Sequence, residues 1–379
     1  MKIIKKAIAK LPLKTKLYLR EISNFRKPFS IVKTKNILDR KVKETNGLNI
    51  KDGLEVWHRS FKKFILSNLN ESEVAYDFFE NNIELVSQSK FNYDNREVIL
   101  LCVVKNDLMK LKKMVDHHRG IGVTHFAILD NISTDGTAEW VKDQPDIDLF
   151  TNDDKYTTNR REAWINRLIA YYGLNRWYLI VDSDELFVYQ QMEEYPIECL
   201  IKYCVNHSIT RIRGLMVDMY AEDAFYLQNN DEDYLTQCIY FDLNSYKKEE
   251  RDYIELITGG PRERMFNQNP WLTKYPLCYF SKGDIQSRSH FLFPFNKNKN
   301  SECLAALLHY KFLPSDLPKY KMISENSNYY NGSIEYKKYL EVMEHNILSF
   351  MYEDSQIYRD SNSLCNIPFM KKMDFSDGE

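Results

Sequence analysis

Four short apolar runs begin at residues 98, 124, 147 and 177, and the intervals between them are 26, 23 and 30 residues. Each interval has room for one amphipathic helix and two turns. That regularity constrains the fold more than any other feature, because strands that alternate with helices build a mainly parallel sheet covered on both faces. Val98–Val104 is the first predicted strand. A helix follows over Asp107–Arg119, with Leu108, Leu111, Met114, Val115 and His118 on one face, and Gly120 and Gly122 stop it. Thr124–Leu129 is the second strand. After it, Ser133, Thr134 and Asp135 are N-cap residue types for a helix that carries Trp140 and Val141. Ile147–Phe150 is the third strand, and Thr158–Tyr172 a helix closed by Gly173. Trp177–Val181 is the fourth.

The fourth strand runs into Asp182-Ser183-Asp184-Glu185. In open α/β sheets, ligands bind beyond the carboxyl ends of the strands. Two carboxylates one residue apart on a bending strand end can converge on one hard cation. Mg²⁺ and Mn²⁺ take oxygen ligands, commonly one or two carboxylates completed by substrate phosphates. The plainer reading of the same residues is a solvated strand end. Twelve glycines form neither a G-x-G-x-x-G nor a Walker A loop, which argues against NAD and P-loop chemistry.

Outside this stretch the chain changes character. Residues 1–44 hold fourteen Lys and Arg against three acids, a net of +11 that leaves −13 for the rest of a chain whose formal net charge is −2. Residues 1–45 are therefore expected to be a basic amphipathic arm, either lying on an anionic membrane surface or solvated as a tail. Residues 46–96 are expected as a helical N-terminal extension, with Trp57, Phe61, Phe64, Ile65 and Leu69 at helical spacing. Residues 221–253 look like an acidic, Tyr-rich insertion or mobile loop, and 316–379 a helical C-terminal region with a helix over Ile334–Met351. No run approaches the ~20 apolar residues of a membrane span, and the basic N-terminus has no continuous apolar core of a secretory signal. Seven cysteines without a C-x-x-C pair suit reduced thiols. Together these suggest a cytoplasmic protein, peripheral at the membrane, with no nucleic acid among its partners.

Three motifs in order carry a family resemblance: Val103-Val104-Lys105-Asn106-Asp107, then Asp130-Asn131 with Ser133-Thr134-Asp135-Gly136-Thr137, then Asp182-Ser183-Asp184-Glu185. Gly259-Gly260-Pro261-Arg262, Ser289-His290 and Leu307-Leu308-His309-Tyr310-Lys311-Phe312 extend it. Over roughly residues 97–315 the chain resembles glycosyltransferase family 2, in the branch that overlaps with family 92. The resemblance implies a GT-A fold, Rossmann-like, with helical additions at both ends. It also implies a nucleotide-sugar donor, a divalent metal and inversion at the sugar carbon. Mn²⁺ is preferred over Mg²⁺ if a histidine joins the ligands, because imidazole is softer than carboxylate. A UDP-sugar is the favoured donor, and a glycan or lipid-linked acceptor in surface polysaccharide synthesis the favoured acceptor.

Site roles follow from that resemblance. Lys105, Asn106, Asp130, Asn131, Arg161, Asp182 and Ser183 are expected to bind the nucleotide sugar. Asp130 can alternatively cap the helix after it, and Arg161, like Asn166, can belong to a solvated helix face. Asp182, Asp184 and His309 are the expected metal ligands, with His290 second to His309. Inverting transfer needs a base for the acceptor hydroxyl, and Glu263, Glu185 and Asp218 are the candidates. Glu263 is flanked by Arg262 and Arg264, which would weaken it as a base. Two rival readings stand beside this one. An aspartyl phosphatase also ends a strand in D-x-D, with the first Asp as nucleophile, and Lys282-Gly283-Asp284 would serve it; Leu186, however, stands where that pattern wants Thr or Val. The other rival is a non-catalytic scaffold on the membrane surface.

Overall fold

The computed structural model describes residues 50–375, apart from 68–71, 81–82, 92–96, 224–232, 252–253, 299–301, 327–332 and 346–348. The basic arm lies outside the described residues. In chain order the elements are α1 (Leu54–Ser67), α2 (Ser72–Glu80), β1 (Glu84–Ser87), β2 (Ile99–Val104), α3 (Leu108–Gly120), β3 (His125–Asp130), α4 (Thr137–Lys142), β4 (Ile147–Thr151), α5 (Thr158–Tyr172), β5 (Arg176–Ile180) and β6 (Glu185–Tyr189). There follow α6 (Ile197–Asn206), β7 (Arg213–Asp218), α7 (Tyr234–Gln237), β8 (Tyr240–Asp242), β9 (Tyr246–Arg251), β10 (Ile254–Gly259), α8 (Gly260–Phe266), β11 (Thr273–Lys274), β12 (Leu277–Phe280), β13 (Ile285–Arg288) and β14 (Phe291–Phe293). β15 (Cys303–His309), α9 (Leu317–Asn326), α10 (Ile334–His345) and β16 (Ser355–Ile357) follow among the described residues.

A six-stranded sheet runs in the order β1-β4-β3-β2-β5-β12. Its four inner strands are parallel, and β1 and β12 close the edges antiparallel. The protein is therefore a mixed α/β fold with a parallel-rich central sheet flanked by helices. All six residues of β2 are buried, as a strand covered on both faces requires. The period of two divides them. Leu100, Cys102 and Val104 join one apolar cluster with α3, α6 and the second sheet, while Ile99, Leu101 and Val103 join another with α1, α2 and α5. Each fully buried Leu or Ile contributes about 1.5–3 kcal/mol, so two apolar faces along one strand fix its place at the sheet centre.

A second sheet, in the order β11-β7-β15-β6, stands beside the first. The chain passes from one to the other at the end of β5, across Val181-Asp182-Ser183-Asp184 into β6. The acidic turn is thus the crossover between the two sheets.

Three local expectations are corrected. The residues before β2 are not helical throughout, because β1 pairs with β4 as an edge strand. The described part of 221–253 forms α7, β8 and β9, and β9 pairs with β10 in a hairpin. The cap of α4 is Gly136, in the left-handed region at φ 87°, and not one of the three polar residues before it. Asp135 is drawn instead to the amides of Thr137 and Leu108, and so ties α4 to α3. All seven cysteines are free thiols.

Candidate active site

Strand register assembles the centre of the site. Glu185 opens β6 directly opposite His309, the last residue of β15, and His309 lies opposite Asp218, the last residue of β7. Three ionisable side chains therefore share one row at one end of the second sheet. Asp182 and Asp184 hang from the turn just before that row.

His309 is held from both sides. Its Nδ1 is 2.6 Å from Asp218 Oδ1, and its Nε2 is 3.5 Å from Asp184 Oδ2. Arg262 donates from Nε to the other Asp218 oxygen at 2.8 Å, and its Nη1 lies 3.6 Å from Glu335. Burial pushes the Asp218 carboxyl up, but Arg262 and His309 outweigh it and hold it at about 2. Burial works against the charged form of His309, yet Asp184 and Asp218 raise its pKa above the usual value. Asp184 is held well below its usual value, its burial being outweighed first by His309 and then by Lys110 and Lys319.

Asp182 has a different set of partners. Arg161, from α5, donates to Oδ1 from Nε at 3.0 Å and from Nη2 at 2.5 Å. Lys274, from β11, donates to Oδ2 at 3.0 Å. Lys274 also binds both oxygens of Glu185, at 2.7 and 2.6 Å. Glu185 Oε2 in turn accepts from the Asp182 amide at 2.9 Å, and the Glu185 amide donates to the Asp182 carbonyl at 3.1 Å. Burial raises the Asp182 carboxyl, and Arg161 and Lys274 more than reverse it.

The ends of β2 and β3 form the neighbouring wall. Asn106 and Ile132 both have left-handed φ, 50° and 54°, and Ile132 is 48% exposed despite its branched side chain. The two loops are laced together. The Asn106 amide donates to Ser133 Oγ at 2.8 Å, and Asn106 Oδ1 accepts from the Thr134 amide at 2.7 Å. Lys105 reaches Asn131 Oδ1 at 3.5 Å, and Asn131 donates to the carbonyls of Asn152 and Asp154. Asp130 Oδ2 accepts from the Ser133 amide at 3.0 Å, a contact within the loop before α4 and not a cap of that helix, which Gly136 supplies. The other Asp130 oxygen is buried with no hydrogen-bond partner among the described residues. A buried, unpaired carboxylate oxygen costs free energy unless a ligand or water meets it.

The other sequence candidates take varied positions. Ser183 donates to Asp107 at 2.5 Å. Asn166 is buried and spends its amide on the backbone of Glu162 and Gln286. His290 Nδ1 pairs with the Thr273 carbonyl, and burial, then Lys274, lowers its pKa to about 3. Among the base candidates, Glu263 faces Lys247 at 2.5 Å, Glu185 is buried on Lys274, and Asp218 is buried between His309 and Arg262. Asp284 of the Lys282-Gly283-Asp284 stretch is buried with Arg211 and Lys297.

Sequence reading missed Lys274, which stands in an unremarkable Trp-Leu-Thr-Lys-Tyr-Pro segment. It also missed the buried pair Lys110–Asp316 at 2.7 Å and the contact of Lys319 with Asp107 at 3.2 Å. Lys110 lies on the buried side of α3, outside the face expected from the sequence, and its partner is 206 residues away, so no local pattern marks such a pair.

Among the described residues, no group of three or more His, Cys, Asp and Glu side chains is arranged to hold a metal ion. Asp184 and His309 do form a facing pair. His309 presents Nε2 while a carboxylate holds Nδ1, which is the outer-shell arrangement that orients metal-binding histidines. One carboxylate and one imidazole suit a divalent cation whose remaining positions are filled by phosphate and water.

No family model and no curated protein matches the sequence. Among solved structures, the chain is similar to a mannosyltransferase from Pyrobaculum calidifontis in complex with GDP-Man and Mn²⁺, with 11% identity over 42% of this chain and a TM-score of 0.25. The match spans 47% of that protein's length. It is also similar to HddC from Yersinia pseudotuberculosis, with 12% identity over 59% of this chain and 97% of that one, at a TM-score of 0.30. A third is a 4-diphosphocytidyl-2C-methyl-D-erythritol synthase, with 10% identity over 61% of this chain and 99% of that one, at a TM-score of 0.29. No helix among the described residues is long and apolar enough to cross a membrane.

Proposed function

We propose that this chain is an inverting glycosyltransferase of the GT-A type, taking a sugar from a nucleotide-sugar donor. The observation that carries the reading is that three groups suited to one donor stand at neighbouring strand ends, after β2, at the end of β3, and where the turn after β5 faces the end of β15. These are the Lys105–Asn106 strand end, the unpaired oxygen of Asp130, and the Asp184–His309 pair. Asp130 accepts a hydrogen bond from the base or ribose. Asp184 and His309 hold a divalent cation, preferably Mn²⁺, which when bound offsets the charge that builds on the departing nucleoside diphosphate. Asp218 keeps His309 in the tautomer that leaves Nε2 free for this. The row of strand ends, fixed by register, means that little reorganisation accompanies donor binding.

The wider assignment rests on the motif order from Lys105 to Phe312, which supports family 2 in its overlap with family 92. On that reading the donor is a UDP-sugar, and the acceptor a glycan or lipid-linked chain of a surface polysaccharide. The net charge of +11 over residues 1–44 supports work on the cytoplasmic face of an anionic membrane. The phosphatase reading needs Asp182 as nucleophile, and its two oxygens are engaged by Arg161 and Lys274.

The test is release of nucleoside diphosphate from a panel of nucleotide sugars with Mn²⁺. The wild type is expected to turn over one donor, and Asp184→Ala to lose that turnover by about 10² or more while its circular dichroism is unchanged. Equal rates in the two proteins would sink the reading.

A further inference from the structure

Lys274 is 2% exposed, and its ammonium sits among three carboxylate oxygens of the acidic turn. With Arg161 on the far side, it occupies both oxygens of Asp182. The two cations reach the turn from different halves of the molecule. Arg161 comes from the helix that covers the first sheet, and Lys274 from the edge strand of the second. β11 is only two residues long, yet it is firmly placed. Lys274 pairs with Gly214 in β7, and that glycine lets Pro276 pack close, since a Cβ there would lie 3.3 Å from the proline ring. The backbone of the turn is closed by the reciprocal contacts of Asp182 and Glu185.

We propose that Lys274 is the positioning residue of the acidic turn: it clamps Asp182 and Glu185 so that Asp184 is the acid presented to His309. The inference deepens the transferase reading and rests on it for the role of Asp184, but the clamp is a property of the chain itself. It follows that Asp182 serves as an anchor and the cation is held on the protein side by Asp184 and His309. A lysine on Asp182 and Glu185 keeps two acids from competing for the ion, and a turn pinned from both sheets holds Asp184 still. Neutral substitution leaves Glu185 buried without its cation and Asp182 held by Arg161 on one side only. The turn then opens, and Asp184 loses its fixed distance to His309.

Hydrogen–deuterium exchange of the peptide spanning 181–186 tests the clamp without any substrate, with the peptide spanning 125–130 as reference. Lys274→Met is expected to speed exchange at the turn on the order of tenfold and leave the reference unchanged, as a local opening does. Lys274→Arg, which keeps the charge, should restore most of the protection. Unchanged turn exchange in Lys274→Met, or an equal rise in both peptides, would overturn the clamp. Should Lys274→Met fail to fold, Lys274→Met/Glu185→Gln removes one charge of each sign and is read the same way. Electron paramagnetic resonance of added Mn²⁺ supplies the second arm. Asp182→Asn should keep Mn²⁺ affinity within about threefold, whereas Asp184→Asn should lose it by on the order of tenfold or more. An equal loss in both variants would overturn the anchor role of Asp182. A wild type that protects its turn but binds no Mn²⁺ and turns over no donor would instead refute the transferase reading.

Discussion

Replacing Asp218 by Asn isolates the electrostatic centre of the site. Asp218 is buried and accepts from two donors, His309 Nδ1 at 2.6 Å and Arg262 Nε at 2.8 Å. An asparagine has the same shape but only one accepting oxygen. Whichever donor it keeps, the other meets an amide N–H, and a buried charge loses its counter-ion. Removing one partner of a buried pair costs about 3–5 kcal/mol. An unfolding entropy of about 2.1 cal/mol/K per residue over 379 residues is roughly 0.8 kcal/mol/K, so the melting temperature should fall by about 4–6 °C. Scanning calorimetry measures it. Arg262→Met in the same protein should recover part of the loss, because the unpaired guanidinium is gone, with a coupling of about 1–3 kcal/mol. A drop below about 1 °C for Asp218→Asn, or strictly additive effects, would refute the reasoning.

Other consequences lie away from that centre. Burial pushes the Asp148 carboxyl up, but hydrogen bonds from His125, Tyr172 and the Ser89 amide outweigh it, and its pKa is lowered. A lowered folded-state pKa contributes stability above the unfolded value that is lost as pH falls through the folded one. Unfolding midpoints should therefore decline below about pH 4, and Asp148→Asn should flatten that decline; an identical acid limb in both proteins would exclude the assignment. Gly259 has φ 99°, and a Cβ there would lie 2.4 Å from the Ser245 carbonyl. Gly259→Ala should cost about 1–3 kcal/mol in urea unfolding, and a neutral result would mean the β9–β10 hairpin shifts to admit it. Lys110→Met should destabilise by about 3–5 kcal/mol by leaving Asp316 buried without its cation, and Lys110→Met/Asp316→Leu should recover most of that in the same titration.

The repeated βα units were legible because buried parallel strands are continuous apolar runs, and Ile99–Val104 is buried at every position. The helix over Thr158–Tyr172 matches its predicted bounds because Thr157 caps it through the Arg160 amide and Gly173 ends it at φ 98°. The carboxyl-end placement of Asp130, Asp182 and Asp184 was likewise readable. The second sheet was not, since it pairs β7 with β15 across some 90 residues and its register is a tertiary fact. Lys274 shows the same limit at the scale of one side chain. A lone lysine in a loop-like segment gives no sign of three buried carboxylate oxygens around it. Glu263 shows the converse, because the family resemblance made it a base candidate, yet the turn of α8 points it at Lys247 while Arg262 faces Asp218.

The central claim is tested most directly by thermal shift with nucleoside diphosphates and nucleotide sugars, each in Mn²⁺ and in EDTA. A ligand at ~100 times its Kd stabilises by about 2.7 kcal/mol, which at the unfolding entropy above is roughly 3 °C. The account predicts such a rise for one nucleoside diphosphate and its sugar, present in Mn²⁺, abolished by EDTA and absent in Asp184→Asn. No rise with any nucleotide, in the presence of either reagent, would contradict it.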